Sequence, residues 1–110
     1  MNFYLFLGVF LLSSISFSAT PQSTVGNVSE LRVYMEDHVN VNARGNIGFA
    51  IDSPLVAPCT SFYYSANENV ATSILLASKA SKNQVKIYYY SDVVAPWNSK
   101  TCKVYTVEAI

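Results

Sequence analysis

The sequence predicts a small, mostly β domain with one helix, in which five strands form a barrel. Three observations carry that expectation. Short segments with apolar residues at alternate positions recur along the chain, as half-buried strands require. A single stretch, Glu68–Lys82, carries apolar residues at helical spacing instead. The first charged side chain of the 110-residue chain is Glu30, and an apolar leader precedes it.

The leader explains why the folded part starts late. Phe3–Leu12, "FYLFLGVFLL", is too short for a bilayer span of about 20 residues and suits the apolar core of a secretory signal. "SSISFSA" follows, and a cut after Ser18 leaves small Ser16 and Ser18 where a signal peptidase reads. A cut after Ala19 would place bulky Phe17 there. Residues 1–18 are therefore read as a signal peptide, and the product as secreted or periplasmic. No Lys or Arg precedes the apolar run, so a short N-terminal membrane anchor is the alternative. No cysteine sits near the cut, which argues against a lipid anchor.

Residues 19–29, "ATPQSTVGNVS", are small, polar and uncharged, and are read as a flexible arm ahead of a domain over 30–110. Leu31, Val33 and Met35 alternate, and Val39 and Val41 continue beyond Asp37-His38. Leu31–Val41 reads as one long strand, or as two joined by a bend or bulge. Asn42–Asn46, "NARGN", is a turn in which Gly45 is free to take positive φ. Ile47, Phe49 and Ile51 form a second strand, paired with the first as a hairpin. Ser53–Cys59 is a loop broken by Pro54 and Pro58.

"SFYYS", Ser61–Ser65, is a short third strand. Ser65 and Glu68 have capping-box spacing, with Asn67 as a rival cap. Val70, Ile74 and Ala77, with Ala71 and Leu75, make the apolar stripe of the helix, and Asn83 is placed to end it in αL. Val85–Tyr90 is the fourth strand, Ser91–Thr101 a loop, and Lys103–Ile110 the fifth strand. The order β-β-β-α-β-β is the layout of an OB-fold, whose helix plugs one end of a small barrel.

Cys59 and Cys102 are the two cysteines. In an exported chain such a pair reads as one disulfide, with a single connectivity available. It closes a loop of about 44 residues, worth about 4 kcal/mol by chain entropy. That is a useful share of the stability of a small core.

Charge and motif content narrow the function. Seven basic and seven acidic residues cancel, so neither a nucleic-acid binder nor a polybasic membrane-surface protein is expected. His38 is the only histidine, and its neighbour Asp37 would point to the opposite face of a strand. No G-x-S-x-G context and no Gly-rich phosphate loop occur. A zinc site needs more ligands than two cysteines and His38 supply. The chain reads as a protein that is not an enzyme, with no cofactor and no metal.

The aromatic residues are the surplus. In "VKIYYYSDVVAPW", strand alternation puts Val85, Ile87 and Tyr89 on one face and Lys86, Tyr88 and Tyr90 on the other. A bulge would shift the register and turn Tyr89 outward instead. Outward tyrosines suit the apolar face of a sugar ring or a protein interface, where Tyr and Trp are enriched. Trp97, after Pro96, is either a lid on the barrel or an exposed anchor. Lys86, Tyr88, Tyr90 and Trp97 are therefore the candidate ligand or interface residues. Asn27-Val28-Ser29 also fits the glycosylation sequon.

A helix, a short polar turn, "VKIYYYSDVV" ahead of Trp97, and a cysteine before the last strand together resemble the B subunits of the subtilase-cytotoxin and typhoid-toxin type. The resemblance runs roughly over Ser73–Trp97. It implies an exported OB-fold and, in the toxins, a pentameric ring that binds sialylated glycans. This chain is shorter and carries a single cysteine pair. The expected function is a small exported non-enzymatic module that binds a glycan or a protein partner through its outward aromatics. The alternative is a structural or assembly subunit of a homo-oligomer, with the same tyrosines buried between protomers.

Overall fold

The computed structural model describes residues 19–110, so the expected signal peptide, 1–18, lies outside the described residues. The elements are β1 (Pro21–Tyr34), β2 (Asn46–Ile51), β3 (Ser61–Ser65), α1 (Asn69–Ser81), β4 (Gln84–Ala95) and β5 (Asn98–Ala109). The five strands close into a ring in the order β1-β2-β3-β5-β4, with β1 returning to β4. All neighbours are antiparallel except β3 and β5.

One strand closes the ring by changing partners. Pro21–Asn27 pairs with β4, and Val28–Tyr34 pairs with β2. A register shift between Val28 and Glu30 marks the switch, and Ser29 and Glu30 are both exposed there, as a bulge requires. The turn after β2 clamps the same point. Asp52 Oδ1 accepts from Asn27 N at 2.8 Å, Asp52 N donates to Asn27 O at 3.0 Å, and Ser53 Oγ donates to Val25 O. Gly26 leaves the space these side chains use, since a Cβ there would lie 2.5 Å from Ser53 Oγ.

This corrects the expected flexible arm. Residues 19–29 are strand from Pro21 onward, with Gly26 and Val28 buried. Backbone hydrogen bonds to β4, not apolar side chains, hold the segment, so its polar composition was misleading. Thr20 ties its start to β4 as well. Its N and Oγ1 donate to Asp92 at 2.8 and 3.0 Å, and its carbonyl accepts from Ser91 N at 3.1 Å.

The strand expected over Leu31–Val41 is also shorter. β1 stops at Tyr34, and the chain then folds into turns to Gly45. Met35, Val39 and Val41 are exposed, Val39 at 92%. Gly45 does adopt positive φ, 79°, and its N–H donates to Tyr34 O at 3.0 Å to close the hairpin.

The core fills the ring. Ile47, Phe49 and Ile51 face inward from β2 as their alternation predicts, and Phe62 and Tyr64 do so from β3. Phe49 and Phe62 lie 5.0 Å apart, as do Phe62 and Tyr89. Leu75, fully buried, is the helix's contribution. The predicted apolar stripe is rotated, however. Ala71, Ile74, Leu75 and Ser78 face the barrel, while Val70 and Ala77 are exposed. No capping box forms, because Glu68 takes the N-cap position without a side-chain bond. Ser65 Oγ accepts from Asn67 N at 3.3 Å instead. Lys82, not Asn83, takes the αL conformation, and Asn83 N donates to Ser78 O at 3.0 Å.

The loop expected over Ser91–Thr101 is mostly strand. β4 runs to Ala95, Pro96-Trp97 makes a two-residue turn, and β5 begins at Asn98 opposite Ala95. Register shifts between Tyr90 and Val94 absorb the irregular sequence. Cys59 and Cys102 form the expected disulfide, with Cα atoms 5.6 Å apart. It joins the segment after β2 to β5 inside the core.

Candidate functional site

The fourth strand keeps strict alternation where the sequence singles it out. Val85, Ile87, Tyr89 and Ser91 are buried, and Lys86, Tyr88 and Tyr90 are half-buried on the outer face. Tyr89 is 1% exposed, and its Oη accepts from Val56 N at 3.1 Å. An outward Tyr89 is thereby excluded.

The neighbour β5 adds a residue that the pattern of β4 could not reveal. Tyr88 pairs with Thr106 and Tyr89 with Val104, so Tyr105 is an extra residue between them. The bulge turns Tyr105 and Thr106 both outward. Tyr105 then lies flat against Tyr90, with centroids 4.6 Å apart and planes 25° from parallel. Its centroid is 6.0 Å from that of Tyr88. The signal lies in "VYTV": two inward valines, Val104 and Val107, sit three residues apart, where unbroken alternation would need an even spacing.

Tyr88, Tyr90 and Tyr105 thus form one aromatic plate on the barrel's outside. Polar groups rim it. Tyr88 Oη donates to Glu108 Oε1 at 2.8 Å. Lys86 stands opposite Glu108 across the strands, and its Nζ lies 5.1 Å from the Tyr88 ring centroid, a cation–π arrangement. Lys103 stands opposite Tyr90, and Pro21 and Ser23 of β1 flank Tyr90 and Tyr88 on the other side. A shallow groove of about 400 Å³ runs between Pro21–Ser23 and the rings of Tyr88 and Tyr105. Such a surface offers apolar ring area beside hydroxyl, carboxylate and ammonium groups.

Trp97 is not part of this plate. It is half-buried at the β4–β5 turn against Tyr34 and Tyr63, with ring centroids at 5.3 and 5.2 Å. Its Nε1 is buried without a hydrogen-bond partner. Burial pushes the Tyr63 phenol above its ordinary range. His38 stands edge-on to Tyr34 at 5.2 Å, and its Nδ1 accepts from Asn40 N at 3.0 Å. That geometry gives His38 a structural role in the turn after β1. Asn27 of the sequon is engaged too, donating from Nδ2 to Lys82 O at 3.0 Å.

Among the described residues, no three His, Cys, Asp or Glu side chains gather closely enough to hold a metal ion. Among the same residues, no helix is long and apolar enough to cross a membrane. Comparison with protein-family models, with curated proteins and with solved structures finds no match.

Proposed function

We propose that the chain is an exported, non-enzymatic module of OB-fold type that binds a glycan on the plate of Tyr88, Tyr90 and Tyr105. The ring order and the helix between the third and fourth strands support the OB reading. The disulfide and the apolar leader support export. One observation carries the binding reading: the β5 bulge places a third phenol ring, Tyr105, on the outer surface, stacked on Tyr90 and with its centroid 6.0 Å from that of Tyr88.

A sugar ring has an apolar C–H face and a rim of hydroxyls. The plate supplies the first complement, and Ser23, Thr106, Glu108 and the two lysines the second. Lys86 and Lys103 favour an acidic sugar, in keeping with the sialylated glycans implied by the resemblance to toxin B subunits. A glycan array of the exported chain, repeated with Tyr90→Ala and Tyr105→Ala, tests this. Each substitution is expected to weaken binding about tenfold or more. Unchanged binding in both removes the plate as the site.

A second reading, assembly into a homo-oligomer, is favoured by the apolar residues left exposed around the helix. Val70, Leu76 and Ile110 are 75%, 53% and 71% exposed. Sedimentation decides it, since a monomer at high concentration excludes it.

A further inference from the structure

One acid fastens the start of the ring-closing strand. Asp92 of β4 is exposed, and its carboxylate accepts from Thr20 N at 2.8 Å and from Thr20 Oγ1 at 3.0 Å. Ser91 N donates back to Thr20 O at 3.1 Å. These bonds cap the ladder between β1 and β4, which runs from Pro21–Tyr90 to Asn27–Gln84. Side chains add little to that half of β1, whose first core side chain is Val28.

Among the described residues, no cation pairs with the Asp92 carboxylate, the one ion pair being Arg32 with Glu30. Tyr90, two residues earlier on β4, is neutral at ordinary pH. Lys103 of β5 stands opposite Tyr90 and makes no ion pair with Asp92. Ala19 and Thr20 bring no charged side chain from the β1 side. Before cleavage the Ala19 nitrogen is a neutral amide, and residues 1–18 hold no charged side chain.

Cleavage after Ser18 turns the Ala19 nitrogen into an ammonium. Consecutive backbone nitrogens are at most about 3.6 Å apart, so this ammonium lies within about 6.5 Å of Asp92 Oδ1. Cleavage after Ala19 would make the Thr20 nitrogen itself the ammonium, on the same oxygen.

We propose that signal cleavage completes a latch, in which the ammonium left on Ala19 pairs with the Asp92 carboxylate and seats the start of β1 on β4. The latch rests on the export reading. It exists only in the processed chain, so the ring closes most firmly after export. Pro21–Ser23 also wall the groove beside Tyr88 and Tyr105, so the same latch steadies the candidate ligand surface. Both partners are exposed, which sets the effect in the range of surface ion pairs, about threefold in the opening equilibrium of the strand end. A nearby carboxylate favours the charged amine, so the folded chain keeps this proton to higher pH than the unfolded one. The latch is therefore fully present below the ordinary α-amino range, about 7.7–8.0, and is lost as pH rises through the folded value.

The test uses the exported chain, with its terminus read by mass spectrometry, beside the same chain enzymatically acetylated on its α-amino group. The mass should begin at Ala19 or Thr20. At neutral pH and low salt, acetylation should speed amide exchange at Ser91 about threefold. In Asp92→Asn, acetylation should change nothing further. The α-amino group should also titrate at higher pH in the parent than in Asp92→Asn, followed by NMR of the terminal residue. A correctly cut chain whose Ser91 exchange ignores acetylation overturns the latch and leaves the export reading standing. Equal effects of acetylation in the parent and in Asp92→Asn overturn it as well, because the carboxylate then plays no part. A cut at another bond overturns the latch alone, and a chain that keeps residues 1–18 removes the export reading with it.

Discussion

Replacing Tyr88, Tyr89 and Tyr90 one at a time with alanine separates the inside of the barrel from its outside. Tyr89 is 1% exposed and lies 5.0 Å from Phe62, centroid to centroid. Removing a fully buried aromatic ring costs about 3–5 kcal/mol through lost transfer energy and the cavity left behind. Tyr89→Ala also strips Val56 N–H of its acceptor, a net loss of about 0.5–1.5 kcal/mol, since Val56 is exposed and water can reach the donor. The two effects do not simply add, but small domains hold only about 5–15 kcal/mol in total. Tyr89→Ala should therefore be largely unfolded, and Tyr89→Phe should lose about 0.5–1.5 kcal/mol.

The neighbours differ. Tyr88→Ala loses one surface hydrogen bond to Glu108 and a loose contact with Tyr105. Tyr90→Ala loses a stacked pair, worth about 0.5–1.5 kcal/mol. Both should stay within about 1.5 kcal/mol of the parent, a melting shift of roughly 4–8 °C per kcal/mol at this size. Urea unfolding followed by far-UV circular dichroism, with the disulfide intact, gives the numbers. If Tyr88→Ala or Tyr90→Ala costs as much as Tyr89→Ala, the assignment of faces on β4 is wrong.

Other consequences are checkable in the same assay. The pair Cys59→Ser and Cys102→Ser should lose about 2–5 kcal/mol, and reducing agent should produce the same loss in the parent. Gly26→Ala should cost about 1–3 kcal/mol, because the added methyl meets Ser53 and Asp52 where β1 changes partner. The bond from Thr20 N–H holds the Asp92 carboxyl below its ordinary range. Its folded value is thus lower than its unfolded one, so the tie between Thr20 and β4 is present at neutral pH and is lost as pH falls through the folded value. Asp92→Asn should speed amide exchange at Thr20 and Ser91 at neutral pH, and should flatten the acid dependence of that exchange. Unchanged exchange in that variant would remove the tie.

Much of the fold is legible where side chains alone decide it. Ile47, Phe49 and Ile51 on β2, and Val85, Ile87 and Tyr89 on β4, are buried on one face each, so period-two patterning finds them. The disulfide follows from the cysteine count. What patterning misses is held by the backbone. Pro21–Asn27 has little apolar content, yet a full ladder to β4 keeps it in the sheet. Val39 and Val41 mislead in the opposite sense, being apolar and exposed in a turn.

The candidate site was half legible for a related reason. Alternation gives Tyr88 and Tyr90 their outward face, and Lys86 goes with them. Trp97 looks adjacent in sequence, but the β4–β5 turn sends it to Tyr34 and Tyr63. Tyr105 joins the plate through a bulge, and a bulge depends on how two strands register against each other. A single strand read alone carries only the weak trace of two valines at odd spacing.

The glycan reading stands or falls on where a bound sugar perturbs the protein. Tyrosine- and tryptophan-ring NMR signals of the exported chain, recorded during titration with the strongest glycan from the array, test it most directly. The account predicts shifts at the rings of Tyr88, Tyr90 and Tyr105, with Tyr89 and Trp97 unmoved. Shifts centred on Trp97, Tyr34 and Tyr63, with the plate silent, would contradict it.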